Sequence, residues 1–453
     1  MISTLLLSIV ATLAGSTQGP ADSLGGLKRG ALFGVKVTSL ADEDRQRLNL
    51  EVGRGALVED VIPGSTAEAV GLKAGDVIVS IDGAKVEGPS GTIRAISSRK
   101  AGESVTVEYR RGDETLKQQV TLKGRPIEPS DAHEVEYGSI VAQAGRLRTI
   151  VTRPKGLVGK HPGLLLIQGV GMSSVEGSFG GYREIINDFT ARGFVTLRVD
   201  KPGCGDSEGG PTDAVDFNSE LNGYRQALKA LRGRADVDPA NVFVFGHSMG
   251  GVMAPLLGPE VPVRGIIVYG TIGRTFAEYL PENFRRQAEL LDSPAGAVDR
   301  QARADATLMT RLFADHLTPK EVLEKYPDLR ERVEAIFPDG RTLGGRGLAF
   351  YEQLAAKDPG EAWEAFDGHV LVLWGRADFV SLEEDHALIA RIINRVQPGN
   401  GTFLALDGID HGFKKATSPR QSMTRGGKPG EFNPSVLEAC RAWVEKTLDR
   451  PRG

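Results

Sequence analysis

The sequence predicts an α/β fold, a mostly parallel sheet with helices on both faces, preceded by a smaller β-rich domain. Three observations predict it. From about residue 133 onward strand-like and helix-like segments alternate, as parallel strands joined by crossovers require. Between about residues 30 and 123 short apolar runs alternate with turn signals instead. Finally, Gly246-His247-Ser248-Met249-Gly250 stands between the apolar run Val242-Phe243-Val244-Phe245 and a helix-compatible run from Gly251 to Leu257. That strand–turn–helix setting lifts a serine oxygen above the sheet edge, and the flanking glycines let strand and helix approach closely.

The chain of 453 residues is long enough for two or three domains. With 40% hydrophobic and 25% charged residues it has an ordinary globular composition. The net charge of −4 points to neither nucleic acid nor an acidic membrane surface as partner. The two cysteines, Cys204 and Cys440, fit no metal spacing and could pair only if the fold brought them together. At the start, Leu5-Leu6-Leu7-Ser8-Ile9-Val10-Ala11 followed by Ala14-Gly15-Ser16 has the form of a signal peptide over residues 1–16. Cleavage after Ala14 or Ser16 predicts a periplasmic or secreted protein, the alternative being a cytoplasmic protein with a buried leader. With no cysteine near the cleavage site, a lipoprotein anchor is not expected.

The elements follow in order. Leu57–Ile62 is a strand ending at Pro63-Gly64, and Ser65–Val70 is a short helix closed by Gly71. Asp76–Ile81 is a strand ending in the hairpin turn Asp82-Gly83; Ser104–Tyr109 and Thr115–Leu122 flank the turn Arg111-Gly112-Asp113. The polar, Pro-containing segment 124–132 is a linker. Strands follow at Leu147–Val151, Gly163–Ile167, Phe194–Val199, Val242–Phe245, Val263–Tyr269, His369–Trp374 and Thr402–Leu406, with helices at Tyr182–Ala191, Leu221–Leu231 and Pro434–Leu448. A helix-rich stretch of about 272–367, with segments at Arg285–Leu291, Pro319–Glu324 and Gly347–Ala356, interrupts the rhythm after Tyr269. An insertion there lies on the carboxyl edge of the sheet, where ligands bind, and is read as a cap over a substrate pocket.

Residues 30–123 resemble a PDZ domain, most clearly in the run from Gly64-Ser65-Thr66-Ala67 through Gly71-Leu72-Lys73-Ala74-Gly75-Asp76-Val77-Ile78. Leu32-Phe33-Gly34-Val35 is similar to that family's carboxylate-binding loop, in the permuted arrangement of bacterial high-temperature-requirement proteases. The resemblance implies a nest of backbone N–H groups for a protein or peptide C-terminus. The alternative is a domain that only packs against its neighbour.

Residues 133–450 resemble the α/β-hydrolase superfamily, and within it bacterial serine esterases related to dienelactone hydrolases and prolyl-oligopeptidase-type catalytic domains. Asp200-Lys201-Pro202-Gly203-Cys204-Gly205-Asp206-Ser207 is similar to that family's loop after its fourth strand, which makes Cys204 structural rather than a reactive thiol. Thr271-Ile272-Gly273-Arg274-Thr275-Phe276 also resembles the esterase subgroup.

A serine hydroxyl needs a base, and the base an acid that orients it, in the chain order serine, acid, histidine. His411, in the loop after the last strand, is the candidate base. Of the other six histidines, His386 lies in a polar, helical stretch read as solvated, His369 at the wrong end of its strand, His316 in the cap, His247 on a turn that aims it away from Ser248, and His133 and His161 before the elbow. Asp378, just after Trp374, is the candidate acid. Glu383, Glu384 and Asp385 fit a helix start, and Asp410 a loop-shaping turn. The oxyanion donors are the N–H groups of Met249 and Val170, with Gly171 as the alternative to Val170; Gln168 stands where related enzymes often carry histidine. The expected activity is cleavage of small carboxylic esters through an acyl-enzyme, with no metal and no cofactor. The alternatives are a serine peptidase assisted by the PDZ domain, and a PDZ-based binding protein with an inactive hydrolase domain.

Overall fold

The computed structural model describes residues 25–450, apart from 52, 98, 177–179 and 426–429. The leader over residues 1–16 lies outside the described residues. The chain divides between Pro129 and Ser130 into two compact units.

In the N-terminal unit, strands Val35–Ser39, Ala56–Val61, Val77–Ile81, Ser104–Arg111 and Glu114–Thr121 pair in that order, and Ala84–Lys85 folds back on Val77–Ile81. Asp82 and Gly83 both have positive φ, as a two-residue hairpin turn requires. Thr66–Val70 is capped by the Ser65 side chain and ended by Gly71 at φ 81°. Asp42–Arg47 and Gly88–Ser97 are further helices. Phe33, Val58, Ile78, Val105 and Val107 share one buried core.

The C-terminal unit is built on an eight-stranded sheet. Its strands are β1 (His133–Ala142), β2 (Gly145–Pro154), β3 (His161–Ile167), β4 (Val195–Val199), β5 (Val237–His247), β6 (Gly265–Tyr269), β7 (His369–Gly375) and β8 (Gly401–Leu406). The order is β1-β2-β4-β3-β5-β6-β7-β8, parallel from β4 to β8 with antiparallel β1 and β2 at one edge. Strands β3, β5 and β6 are continuous apolar runs because helices cover both faces, and two separate clusters of buried side chains result.

Strand β1 is absent from the expected elements. Its sequence, His133-Glu134-Val135-Glu136-Tyr137, is polar because it closes the sheet edge, and only Tyr137 in the strand is buried. The insertion after β6 holds more helix than its apolar periodicity suggests: Phe276–Leu290, Ala295–Phe313, Pro319–Lys325, Arg330–Ile336, Leu348–Ala355 and Pro359–Glu364. Ala295–Phe313 escapes sequence reading because alanines and charged residues dominate it and few apolar side chains mark its inner face.

A buried arginine ties the sheet edge together. Arg148 on β2 is 0% exposed and pairs with Glu176 at 2.8 Å, with Asp206 at 3.0 Å and with Asp200. Replacing it removes the buried cation that these three carboxylates share. Arg148→Leu is therefore expected to destabilise the C-terminal unit by about 3–5 kcal/mol, read as a lower urea midpoint with Ser248 left intact.

Candidate active site

Ser248 sits between the end of β5 and the helix Met249–Met253, at φ 54° and ψ −119°. Such backbone geometry is strained for a residue with a side chain. It persists because the surroundings allow no other path. A Cβ at Gly246 would come within 2.5 Å of the Gly250 carbonyl oxygen, and one at Gly250 would fall on the carbonyl of Ile167. The Ser248 N–H is anchored to the Tyr269 carbonyl at 2.9 Å.

Asp378 lies three residues beyond β7 and is fully buried. Its Oδ1 accepts from the N–H groups of Val380 (2.6 Å) and Ser381 (3.0 Å). Its Oδ2 accepts from the Ser381 hydroxyl at 2.6 Å and lies 2.8 Å from His411 Nδ1. Burial alone would raise the carboxyl pKa, but the His411 imidazole and the Ser381 donors outweigh it and hold it down to about 2. An ionised Asp378 draws the imidazole proton to Nδ1, which leaves Nε2 as the basic nitrogen. His411, 16% exposed, lies in the loop after β8. Gly270, at φ 64° beyond the end of β6, makes room for the pair: a Cβ there would come within 2.9 Å of His411 Nδ1.

The structure thus brings Asp378 and His411 into contact and sets His411 beside the elbow, with its ring centroid 4.9 Å from that of His247. His247 joins two loops. Its Nε2 donates to the His411 carbonyl at 2.9 Å, so its Nδ1 accepts from the Tyr182 hydroxyl at 2.7 Å. Tyr182 in turn accepts from the Gly169 N–H at 2.8 Å. Burial, helped by the neighbouring His411, lowers the His247 pKa to about 3. The Tyr269 hydroxyl also holds this loop, donating to the Asp410 carbonyl at 2.6 Å. The Asp410 carboxylate accepts from the N–H groups of Gly412 and Lys414 in its own loop and from Ser422 and Arg425 at the helix Pro419–Thr424.

Val170 and Met249 flank this point. A Cβ on Gly169 would lie 3.2 Å from Ser248 Cβ, which brings the loop after β3 against the elbow. Among the described residues, neither the Val170 N–H nor the Met249 N–H has an acceptor within the protein.

His386 departs from expectation. It is fully buried rather than solvated, accepting from the Thr271 N–H at 3.0 Å and bonding the Leu382 carbonyl through Nδ1 at 2.6 Å. Its helix, Glu383–Val396, turns this position and Asp385 inward, and Asp385 meets Arg274 at the entry to the cap. Cys204 and Cys440 are both buried and unpaired, and burial pushes the Cys204 thiol up to about 12. Among the described residues no group of three or more His, Cys, Asp or Glu side chains is arranged to hold a metal.

In the N-terminal unit the loop Leu32-Phe33-Gly34-Val35 is fixed by its carbonyls. Leu32 O accepts from the Thr66 hydroxyl at 2.6 Å, Phe33 O from Ala67 N–H at 2.8 Å and Gly34 O from Ile62 N–H at 2.9 Å. The following N–H groups lie on the opposite edges of those peptides. The Phe33 side chain itself is buried in the core.

Residues 164–412 match the model of the alpha/beta hydrolase family, and residues 31–122 that of the PDZ domain. The chain belongs to the α/β-hydrolase family. It is similar to the esterase EstD of Thermotoga maritima, 23% identical over 303 residues that span 65% of this chain and 65% of that protein. The PDZ domain is similar to the periplasmic pH-dependent serine endoprotease DegQ of Escherichia coli, 36% identical over 98 residues, 22% of this chain and 21% of that one. The chain thus spans just under two thirds of the first relative and about a fifth of the second. Among solved structures, carboxyl esterase 2 of Tuber melanosporum aligns at a TM-score of 0.43 and 17% identity, over 72% of this chain and 89% of that one.

Sequence reasoning missed Tyr182, Gly270 and the bridging role of His247. Only Gly270 carried a local signal, as a glycine directly after a strand on the edge where the loops of Asp378 and His411 converge.

The neutral, buried His247 makes a signed prediction. Below about 6.5 the unfolded chain protonates this residue, whereas the folded chain does not until about 3. Stability is therefore fully present above 6.5 and falls as the pH drops through that window. Removing the group in His247→Asn is expected to flatten the acid limb of a urea-midpoint profile by up to about 1.4 kcal/mol per pH unit.

Proposed function

We propose that this chain is a serine hydrolase that cleaves small carboxylic esters through an acyl-enzyme. The observation that carries the reading is the 2.8 Å contact of His411 Nδ1 with a buried, ionised Asp378, beside a serine held in a strained turn. Ser248 attacks the ester carbonyl carbon while its hydroxyl proton passes to His411 Nε2. The developing oxyanion accepts from the N–H groups of Met249 and Val170. Collapse of that species breaks the ester bond, and the imidazolium returns its proton to the departing alcohol. Water then repeats the sequence on the acyl-enzyme, and the acid leaves with Ser248 regenerated. Nothing in these steps calls on a metal or an organic cofactor.

The esterase relative supports this substrate class, because its match spans 65% of the chain, far more than the PDZ domain could supply. The DegQ relative matches over a stretch of PDZ length, 98 residues, so it lends no support to peptide cleavage by Ser248. In this reading the PDZ domain takes a peptide or protein C-terminus at Leu32–Val35. An extracytoplasmic site of action fits both the apolar leader and the periplasmic location in the names of the PDZ relatives.

A p-nitrophenyl ester series tests the reading, with peptide p-nitroanilides in parallel. Ester turnover is expected to vanish in Ser248→Ala and to fall about 10⁴-fold in kcat in Asp378→Asn. Ester turnover that persists in Ser248→Ala, or comparable turnover of the anilides, would overturn it.

A further inference from the structure

The oxyanion loop is held by a buried ion triad, one member of which comes from the cap. The Gly169 carbonyl accepts from Lys201 Nζ at 2.5 Å. The Val170 carbonyl accepts twice from Arg346, from Nε at 3.0 Å and Nη2 at 2.8 Å. Glu220 joins the two cations, with Oε1 2.8 Å from Lys201 Nζ and Oε2 2.6 Å from Arg346 Nη2. All three side chains are buried. Lys201 follows β4, Glu220 lies in the helix Phe217–Arg232, and Arg346 lies in the cap, its guanidinium 4.2 Å above the Phe350 ring.

The geometry matters because a trans peptide points its C=O and N–H in opposite directions. The Gly169 carbonyl aimed at Lys201 fixes the Val170 N–H on the other edge of the same peptide plane. The Val170 carbonyl aimed at Arg346 fixes the next plane. With the Gly169 N–H already given to Tyr182, three of the four backbone polar groups of these two residues are engaged. The remaining one is the Val170 N–H. The loop has little else to hold it: glycines flank Val170, whose side chain is 36% exposed.

We propose that Arg346 is a positioning residue: it holds the peptide that follows Val170 while Lys201 holds the peptide that carries the Val170 N–H, so that the two together set that N–H for oxyanion binding, with Glu220 completing the clamp. The inference rests on the proposed ester hydrolysis at Ser248. It makes the cap part of the catalytic geometry: seating of the segment around Arg346 and formation of the oxyanion site are one event. A second cap contact points the same way. Arg286, in the helix Phe276–Leu290, donates to the carbonyls of Asp378 and Ser381, and so braces the loop that carries the acid.

The test compares the full chain with Arg346→Met and Arg346→Lys on one p-nitrophenyl ester. Losing one oxyanion donor typically costs about 10²–10³ in kcat. Arg346→Met is expected to lose about 10²-fold in kcat with KM near that of the parent. Affinity for an aryl trifluoromethyl ketone, which binds Ser248 as a tetrahedral oxyanion, should fall by a similar factor, while inhibition by the product acid stays unchanged. Arg346→Lys keeps the charge opposite Glu220 but not the paired donors, and is expected to fall between the two. It also serves as the decisive variant should Arg346→Met fail to fold. Parental kcat and ketone affinity in the folded variants would overturn the clamp. So would a loss shared equally by the ketone and the product acid, which would mark general disruption of the pocket. Parent protein without Ser248-dependent turnover would overturn the underlying hydrolase reading, an outcome distinct from the other two.

Discussion

Ser248 is held at a positive φ, and much of the architecture around it serves to keep it there. A single strained residue costs on the order of 1–3 kcal/mol and relaxes unless its neighbours forbid it. Here the neighbours are backbone: Gly246 and Gly250 pack where no side chain fits, and the Ser248 N–H is taken by Tyr269 at the end of β6. The strain is thereby transferred to the sheet, whose buried central strands β3, β5 and β6 cannot shift independently.

From that fixed point the remaining groups are located by successive hydrogen bonds. His247, the residue before the serine, carries the Tyr182 hydroxyl on one ring nitrogen and the His411 carbonyl on the other. One neutral imidazole therefore sets the distance between the loop after β3 and the loop after β8. Its pKa, lowered to about 3 by burial, keeps that arrangement intact at neutral pH. Asp378 is treated in the opposite way. It is equally buried but kept ionised by four donors, so two deeply buried titratable groups near Ser248 hold opposite kinds of charge state for clear reasons.

The cap is usually considered for the walls it adds to a pocket. In this chain its polar contacts run to the backbone of two neighbouring loops, through Arg286 to the loop that carries Asp378 and through Arg346 to the loop that carries Val170. Both arginines use paired donors against carbonyl oxygens, a geometry that restrains peptide orientation more than a single contact would.

The sequence by itself determined the α/β class and the two domain types, and it proposed Ser248, Asp378 and His411, of which the structure brings Asp378 and His411 into contact. These were legible because each rests on a local rule: apolar runs of strand length, glycines around a turn, and polar residues directly after strands on one edge of the sheet. Strand β1 and the helix Ala295–Phe313 were not legible, since an edge strand and an alanine-rich helix bury too few side chains to leave a period. The solvated reading of His386 failed for a related reason, because which face of the helix Glu383–Val396 turns inward is decided by its neighbours. Only the tertiary structure decided the long-range polar network. Arg346 meets Val170 across 176 positions and His247 meets His411 across 164. No local pattern records such pairs, because a buried charge or imidazole is stable only beside partners that the complete fold delivers.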